Sequence, residues 1–204
     1  MEKNWAAEGK ISAIKNQSLC GSCEAHGVVA VMEAMLKINH NLDIELSEAD
    51  LFFCGRTTNT CAGGSSSMAL INSAKKRGVT TEEMFPYMSA FNGSPDSGNC
   101  ILNADRDNHS YAIVDYVRLK SDAAVKNWIV NKGPVNSRIA VYSDFLHYYE
   151  SADVYHRNPA AEFVAGHGIA IVGFSDEGQY WIIKNSWNIT WGVNGYGKIG
   201  YGEV

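Results

Sequence analysis

The sequence predicts an α+β fold in which a mainly helical half precedes a β-rich half. In roughly the first hundred residues, apolar side chains recur at three- and four-residue spacing, which is typical of amphipathic helices. In the second half, short segments rich in β-branched and aromatic residues are separated by Gly- and Asn-rich turns, as strands are. A chain of 204 residues exceeds the usual single-domain size of about 100–150 residues, yet it is short for two independent domains of ordinary size. We therefore expect a single domain over residues 1–204, with a helical lobe at about 10–105 and a β-rich lobe at about 106–200.

Three helices are predicted in the first half. The longest spans residues 23–39, where the apolar side chains share one face and no proline interrupts the pattern. A short helix follows over 47–54, because Ser47 with Asp50 three residues later resembles a capping box. The third helix spans about 66–77, and the glycine that follows it is a typical stop signal.

The second half is predicted to contain one helix among strands. Residues 111–119 alternate in polarity and are rich in β-branched and aromatic side chains, which predicts a strand. Residues 121–131 predict a helix, which Gly133 and Pro134 end. Four further strands are expected at 135–141, 168–174, 180–185 and 195–199.

Composition and charge exclude several classes of protein. With 46% hydrophobic and 19% charged residues, the chain has enough apolar surface to form a core, which argues against disorder. The net charge is −5 and the longest basic run is 75–77, so neither nucleic acid nor an anionic membrane is expected as a partner. The longest apolar runs fall far short of the roughly 20 residues that span a bilayer. Residues 1–5 lack the features of a signal peptide, so we expect a mature fragment.

The five cysteines all lie in the first half, and their odd number leaves one without a partner inside the chain. Cys20, Cys23 and His26 also have a spacing that occurs in zinc sites, but structural zinc needs four ligands and no second pair lies at a suitable distance. No metal and no cofactor are therefore expected. A thioredoxin-like redox pair of Cys20 and Cys23 is a further alternative, although such a fold needs a βαβ unit and only 19 residues precede Cys20.

Cys23 is the candidate nucleophile. It begins the longest predicted helix, where free backbone N–H groups and the helix dipole favour a thiolate. Hydrolysis also needs an imidazole to manage the proton, and His167 is the candidate because its small neighbours allow another surface to approach. Asn185 can orient that ring through its amide oxygen, and Trp187 can shield the resulting hydrogen bond from water.

At these residues the chain resembles the papain-like cysteine peptidases. That family carries a Cys-Gly-Ser-Cys tetrad near the mature N-terminus, as at residues 20–23 here, with His and Asn far downstream. His167 follows Cys23 by 167 − 23 = 144 residues and Asn185 by 185 − 23 = 162 residues. The further matching segments, in chain order, are Asn16-Gln17, Leu46-Ser47-Glu48, Cys61-Ala62-Gly63-Gly64, Phe85-Pro86-Tyr87, Gly133-Pro134-Val135 and Trp191-Gly192-Val193-Asn194-Gly195-Tyr196-Gly197.

The resemblance implies a two-lobed papain-like fold, with a helical N-terminal lobe, a β-barrel-like C-terminal lobe and the active site in the cleft between them. It implies a cysteine-type endopeptidase that cleaves peptide bonds through a thioester, with Gln17 and the Cys23 N–H holding the oxyanion. It also implies polypeptide substrates, a pro-segment or a protein inhibitor as other occupants of the cleft, and a monomer. The substrate-binding residues carried over are Gly63, Gly64, Ser66, Arg138, Gly166 and Trp187.

The family pattern pairs Cys20 with Cys61 and Cys54 with Cys100, which leaves Cys23 free. Two disulfides imply an oxidising compartment, so the expected location is secreted, vacuolar or lysosome-like, or periplasmic.

Three residues depart from the family pattern, and one of them is His26, which lies where a hydroxyl residue is usual. Glu24 replaces the large aromatic residue that follows the nucleophile, and its charge is expected to raise the pKa of the Cys23 thiol and weaken activity. Arg138 lies where a wall of the substrate pocket is usually apolar, which favours an acidic or polar substrate side chain. A catalytically weakened relative that acts as a binding module is the alternative function.

Overall fold

The order of the elements confirms an α+β fold in which helices lie mainly in the first half and strands in the second. This computed structural model describes residues 1–55, 61–63, 66–91, 93, 98–101, 103–148 and 153–203. The α-helices are α1 (Cys23–His40), α2 (Ser67–Arg77), α3 (Tyr87–Ala90) and α4 (Asp122–Asn131). The strands are β1 (Glu2–Asn4), β2 (Val79–Thr80), β3 (Ser110–Tyr111), β4 (Val135–Tyr142), β5 (Val154–Tyr155), β6 (Phe163–Ser175), β7 (Tyr180–Lys184) and β8 (Tyr196–Gly200).

The three long predicted helices are confirmed to within two residues at each end. Helix α1 begins at Cys23 and ends at His40. The next residue, Asn41, has a left-handed conformation that stops the helix. The Ser121 hydroxyl accepts a hydrogen bond from the Ala124 N–H and so caps α4. In the predicted short helix, Ser47 Oγ accepts from the Asp50 N–H at 3.0 Å, but Asp50–Cys54 is a π-helical turn.

A six-stranded sheet dominates the second half. Its order is β1-β6-β7-β8-β5, and β4 pairs with β6 as well. Strand β6 is 13 residues long and central, because it pairs antiparallel with β1, β4 and β7 along different parts of its length. Strand β1 joins the sheet from the opposite end of the chain and was not predicted.

The predicted strand at 111–119 is wrong. Only Ser110–Tyr111 pairs, and its partner β2 is itself two residues long, so no strand edge remains for the residues that follow. Residues 112–120 have no regular structure, and Val114 and Val117 are 89% and 61% exposed. Alternating polarity predicts a strand only where a partner strand is present, and here it is missing.

Three apolar clusters form the interior of the described part of the chain, and the smallest joins Ala30 of α1 to Val172 and Ile182 of the sheet. The first contains buried residues of α1, the Asp50–Cys54 turn and α2, including Phe52 and Leu70. The second lies under the sheet and contains Trp191, Ile169 and Ile183. Among the described residues, no helix is long and apolar enough to cross a membrane.

Candidate active site

The first turn of α1 presents Cys23. Cys23 is the only cysteine outside a disulfide, and its side chain is half-buried. The Ala25 and His26 N–H groups donate to the Ser22 carbonyl, whereas the Glu24 N–H hydrogen-bonds the Cys23 sulfur. Together with the helix dipole, this bond favours negative charge on the sulfur.

Strand β6 runs directly against this turn. A Cβ atom placed on Gly168 would lie 2.8 Å from the Glu24 Cα and 3.0 Å from the Cys23 carbonyl carbon, so only glycine allows this approach. The Gly168 backbone also hydrogen-bonds the Cys23 thiol. His167 precedes Gly168 in β6, so its backbone lies one residue from the point where the strand meets the Cys23 turn.

Asn185 holds the His167 side chain in place. Its Oδ1 lies 2.7 Å from the His167 Nε2, just after the end of β7. The amide oxygen can only accept, so Nε2 carries the hydrogen and Nδ1 does not. The Trp187 ring lies over the imidazole with a centroid distance of 4.5 Å and an interplanar angle of 34°, which screens the hydrogen bond from water.

Burial disfavours the charged form of both groups. The pKa of His167 is lowered to about 4, chiefly by burial, while the hydrogen bond to Asn185 acts in the opposite direction. The pKa of Cys23 is raised, again chiefly by burial; Gly168 hydrogen bonding opposes this, and the charge of Glu24 adds to it. The surroundings therefore favour a neutral thiol beside a neutral imidazole at rest.

Gln17 lies close to the nucleophile with its amide in a fixed orientation. Its Nε2 donates to the Cys20 carbonyl at 2.8 Å, and its Oε1 accepts from the Ser186 hydroxyl at 2.7 Å. One Nε2 hydrogen remains for a further acceptor. The Gln17 side chain can therefore donate to an oxyanion without rearrangement.

The disulfides join Cys20 to Cys61 and Cys54 to Cys100, the pairs that the resemblance implies. A redox pair of Cys20 with Cys23 is thereby excluded, and so is a zinc site that uses the Cys20 sulfur. Two disulfides fit an oxidising compartment.

Glu24 points into a polar contact beside the site. Its side chain is 4% exposed, with the Ser67 hydroxyl donating to Oε2 and Arg138 Nε lying 3.4 Å from Oε1. Glu24 acts on the thiol in the expected direction, because its charge raises the pKa of Cys23. The charge of Arg138 lowers the same pKa.

Five of the six predicted substrate-binding residues lie within the described residues. Gly63 packs against the segment before the nucleophile, since a Cβ on Gly21 would lie 2.6 Å from the Gly63 Cα. Arg138 lies across Gly166, where a Cβ would be 2.4 Å from a guanidinium nitrogen. Ser66 is exposed and precedes α2. Gly64 lies outside the described residues.

Sequence reasoning missed two side chains that hold the site together. The Ser186 hydroxyl anchors Gln17, as described above. The Tyr87 hydroxyl donates to the Gln17 carbonyl at 3.0 Å and lies 2.7 Å from the Ser22 hydroxyl, so it links the segment that carries Gln17 to the residue before Cys23. Tyr87 ends the matching segment 85–87, and Ser186 lies between the candidates Asn185 and Trp187. These positions were the available signal that both side chains could support the site.

Comparison with known proteins agrees with this geometry. The family model described as papain family cysteine protease matches residues 1–204. A KDEL-tailed cysteine endopeptidase from Arabidopsis thaliana is 36% identical over 203 residues, covering 96% of this chain and 53% of the relative. Cathepsin J from Rattus norvegicus is 30% identical over 207 residues, covering 97% and 59%. Macrodontain-1 from Ananas macrodontes is 30% identical over 196 residues, covering 96% and 86%.

The match extends through the whole of the chain, although the chain spans only 53% and 59% of the length of the first two of these relatives. A free cysteine at a helix N-terminus, an imidazole bonded to an asparagine and the family match all lead to one conclusion. The chain belongs to the papain family of cysteine proteases, which are hydrolases.

Proposed function

We propose that this protein is a cysteine-type endopeptidase with Cys23 as nucleophile, His167 as acid and base, Asn185 as the residue that orients His167, and Gln17 as an oxyanion donor. The observation that carries the proposal is the 2.7 Å hydrogen bond between His167 Nε2 and Asn185 Oδ1 on a strand packed against the Cys23 turn. That bond leaves Nδ1 free to exchange a proton with the sulfur.

The reaction begins when the Cys23 thiol gives its proton to His167 Nδ1. The thiolate attacks the peptide carbonyl, and the oxyanion accepts hydrogen bonds from the Gln17 amide and the Cys23 N–H. His167 then protonates the leaving amine, and a thioester forms. Water attacks the thioester with His167 as base, which releases the carboxylate and restores the thiol.

Selective alkylation tests the nucleophile. At low concentration, iodoacetamide or a thiol-reactive epoxide should add one group, and mass spectrometry should find it on Cys23. The reaction should be lost in His167→Ala, while the exposed His147→Ala serves as a matched control. Modification that is equally fast in His167→Ala would contradict the assignment.

Cleavage of a peptide blocked at both ends tests the endopeptidase assignment. The wild type should cut it internally, and Asn185→Ala should cut it more slowly because the imidazole is no longer oriented. Trimming of peptides with free ends alone would show an exopeptidase instead.

A binding module with weakened chemistry is the second candidate. The observation in its favour is the buried Glu24 carboxylate, whose charge adds to the raised pKa of Cys23. The four catalytic candidates argue for the enzyme. A protein that binds the blocked peptide with micromolar affinity but never cleaves it would favour the binding module.

We propose further that the pocket beside Arg138 selects acidic or polar substrate side chains. The Arg138 side chain is 62% exposed and is only partly neutralised by Glu24 at 3.4 Å. Profiling with a peptide library should show this preference at the second residue before the cleaved bond, and Arg138→Val should shift it towards apolar side chains. A strong preference of the wild type for Leu or Phe would contradict the proposal.

We also propose a domain organisation, an oligomeric state and a location for the protein. Residues 1–204 form one papain-like domain, supported by one apolar cluster in each half. The protein is monomeric and acts in a secreted, vacuolar or lysosome-like, or periplasmic setting, in keeping with its disulfides. A pro-segment or a protein inhibitor is the second type of polypeptide that would fit the cleft.

A further inference from the structure

A small cavity lies beside Asn185, one of the candidate catalytic residues. Its volume is about 10 Å³, which is enough for one water molecule. The polar residues that line it come from both halves of the chain: Lys15, His26, Glu48, Lys184, Asn185 and Ser186.

Asn185 brings an unsatisfied group to this cavity. Its Oδ1 accepts from His167 Nε2 at 2.7 Å and from the Ser186 N–H at 2.8 Å. Its Nδ2 is buried and, within the described part of the chain, has no hydrogen-bond partner. A buried amide N–H without an acceptor is destabilising, so a native structure normally supplies one.

His26 can provide an acceptor on the same cavity. Its Nδ1 lies 3.1 Å from the Ser22 carbonyl oxygen, which can only accept, so Nδ1 carries the hydrogen and Nε2 is an acceptor. Complete burial keeps the ring neutral by lowering its pKa to about 3. The edge of the ring also packs on Tyr87, with a centroid distance of 5.1 Å, which fixes its orientation.

The other charged groups complete the environment of a water molecule. Lys184 Nζ donates to the Ser12 hydroxyl at 2.8 Å and has further hydrogens to donate. The Glu48 carboxylate binds Lys15 at 3.0 Å and has spare acceptor capacity. Two donors and two acceptors therefore border a space of the size of one water molecule.

We propose that the cavity binds one internal water molecule, which accepts from Asn185 Nδ2 and donates to His26 Nε2, and that His26 is thereby a positioning residue for His167. The inference rests on the proposed function for its catalytic consequence. The water holds the Asn185 amide with its Oδ1 towards His167. If the amide rotated, Asn185 Nδ2 would face the His167 Nε2–H, and two hydrogen-bond donors would then oppose each other. Loss of the water would therefore loosen the imidazole.

The site itself can be observed in the wild type. A crystal structure at high resolution should contain one ordered water between Asn185 and His26, and the Asn185 side-chain NH2 signals should show cross-peaks to a long-lived water in NMR. An empty cavity, or an Nδ2 bonded to a protein atom, would overturn the proposal. This readout does not depend on enzyme activity, so it stands apart from the alkylation test of the nucleophile.

His26→Phe tests the positioning role, because it keeps a ring and removes the acceptor. We expect kcat on the blocked peptide to fall about two- to tenfold, as for loss of one neutral hydrogen bond, with KM unchanged. His26→Gln, which restores an acceptor, should recover much of that loss, and the exposed His147→Phe is the control for the substitution itself. An unchanged kcat in folded His26→Phe, or equal losses in Phe and Gln variants, would refute the role.

Discussion

Two charges of opposite sign act on the Cys23 thiol. Glu24 follows it in the chain and raises its pKa, whereas Arg138 reaches it from β4 and lowers its pKa. The two side chains also contact each other, with 3.4 Å between Arg138 Nε and Glu24 Oε1. The reactivity of the sulfur therefore depends on the balance between these two residues as well as on burial.

Glu24→Gln should lower the apparent pKa of Cys23 and speed its alkylation at neutral pH. The amide keeps the size of the side chain and its contact with Ser67 but removes the negative charge that opposes the thiolate. The measurement is the rate of iodoacetamide reaction as a function of pH.

Arg138→Gln is the matched variant of opposite sign, because it removes a charge that favours the thiolate. The apparent pKa of Cys23 should therefore rise in this variant. Equal apparent pKa values in the wild type and both variants would show that neither charge controls the sulfur.

For individual residues, the sequence predicted four catalytic candidates, and their assignment to one site stays a prediction; the structure shows the bond between His167 and Asn185 and the anchors of Gln17. Their supporting partners were beyond sequence reasoning. Ser186 and Gln17 are 169 residues apart, and neither has a local pattern that predicts the bond between them. A polar contact between distant segments depends on how those segments pack.

Among the elements, the contact between β6 and the N-terminus of α1 sets the position of the β6 backbone beside Cys23. Strand β6 is fixed in register by β4, where Arg138 lies opposite Gly168 and Ile139 opposite His167. Gly168 is the point of closest approach to α1. The strand can approach closely because this position has no side chain.

Gly168→Ala should therefore reduce kcat/KM strongly, by at least about tenfold. The added methyl group would lie 2.8 Å from the Glu24 Cα, closer than packed atoms normally approach, so β6 must move away from Cys23. Misplacement of a reacting group by 1 Å can cost about a hundredfold in rate.

Kinetics with the blocked peptide measure this effect, and thermal unfolding monitors the fold. Ala165→Ser, an exposed position on the same strand, is the control and should retain activity. Wild-type kinetics in Gly168→Ala would mean that the close packing has no catalytic role.

The helices were predicted better than the strands. Residues of a helix contact one another within a few positions, so periodicity within the segment is enough to predict α1, α2 and α4. A strand depends on partners from elsewhere, and residues 112–120 lack one despite a strand-like pattern. For the same reason the pairing of β1 with β6 had no signal in the sequence.

At the scale of the whole molecule, buried titratable groups make stability depend on pH. Burial lowers the pKa of His26 to about 3 and that of His167 to about 4. In the unfolded chain both histidines bind a proton near pH 6.5. Their contribution to stability is thus complete above pH 6.5 and is lost as pH falls towards about 4 and 3.

We expect the free energy of unfolding to decrease between pH 6.5 and 4.5. Each neutral buried histidine adds about 1.4 kcal/mol per pH unit to that decrease, so His26→Phe should reduce the slope by this amount. Urea unfolding at several pH values is the measurement.

Glu82 acts in the opposite direction, since burial raises its pKa to about 7 and the folded protein binds its proton first. Glu82→Gln should therefore make the loss of stability on acidification steeper. Two results would contradict the assignment of neutral buried histidines: a free energy of unfolding of the wild type that is constant between pH 6.5 and 4.5, or the same slope against pH in His26→Phe as in the wild type.

Residue patterns were sufficient to predict the α+β class, the helix that begins at Cys23, the order of the family segments and four catalytic candidates. These are carried by local periodicity and by residue types in a fixed order. The burial of Glu24 beside Arg138, the anchors of Gln17 and the cavity beside Asn185 became visible only in the folded chain. Each of these depends on the distance between groups from different segments, and that distance exists only after the chain has packed.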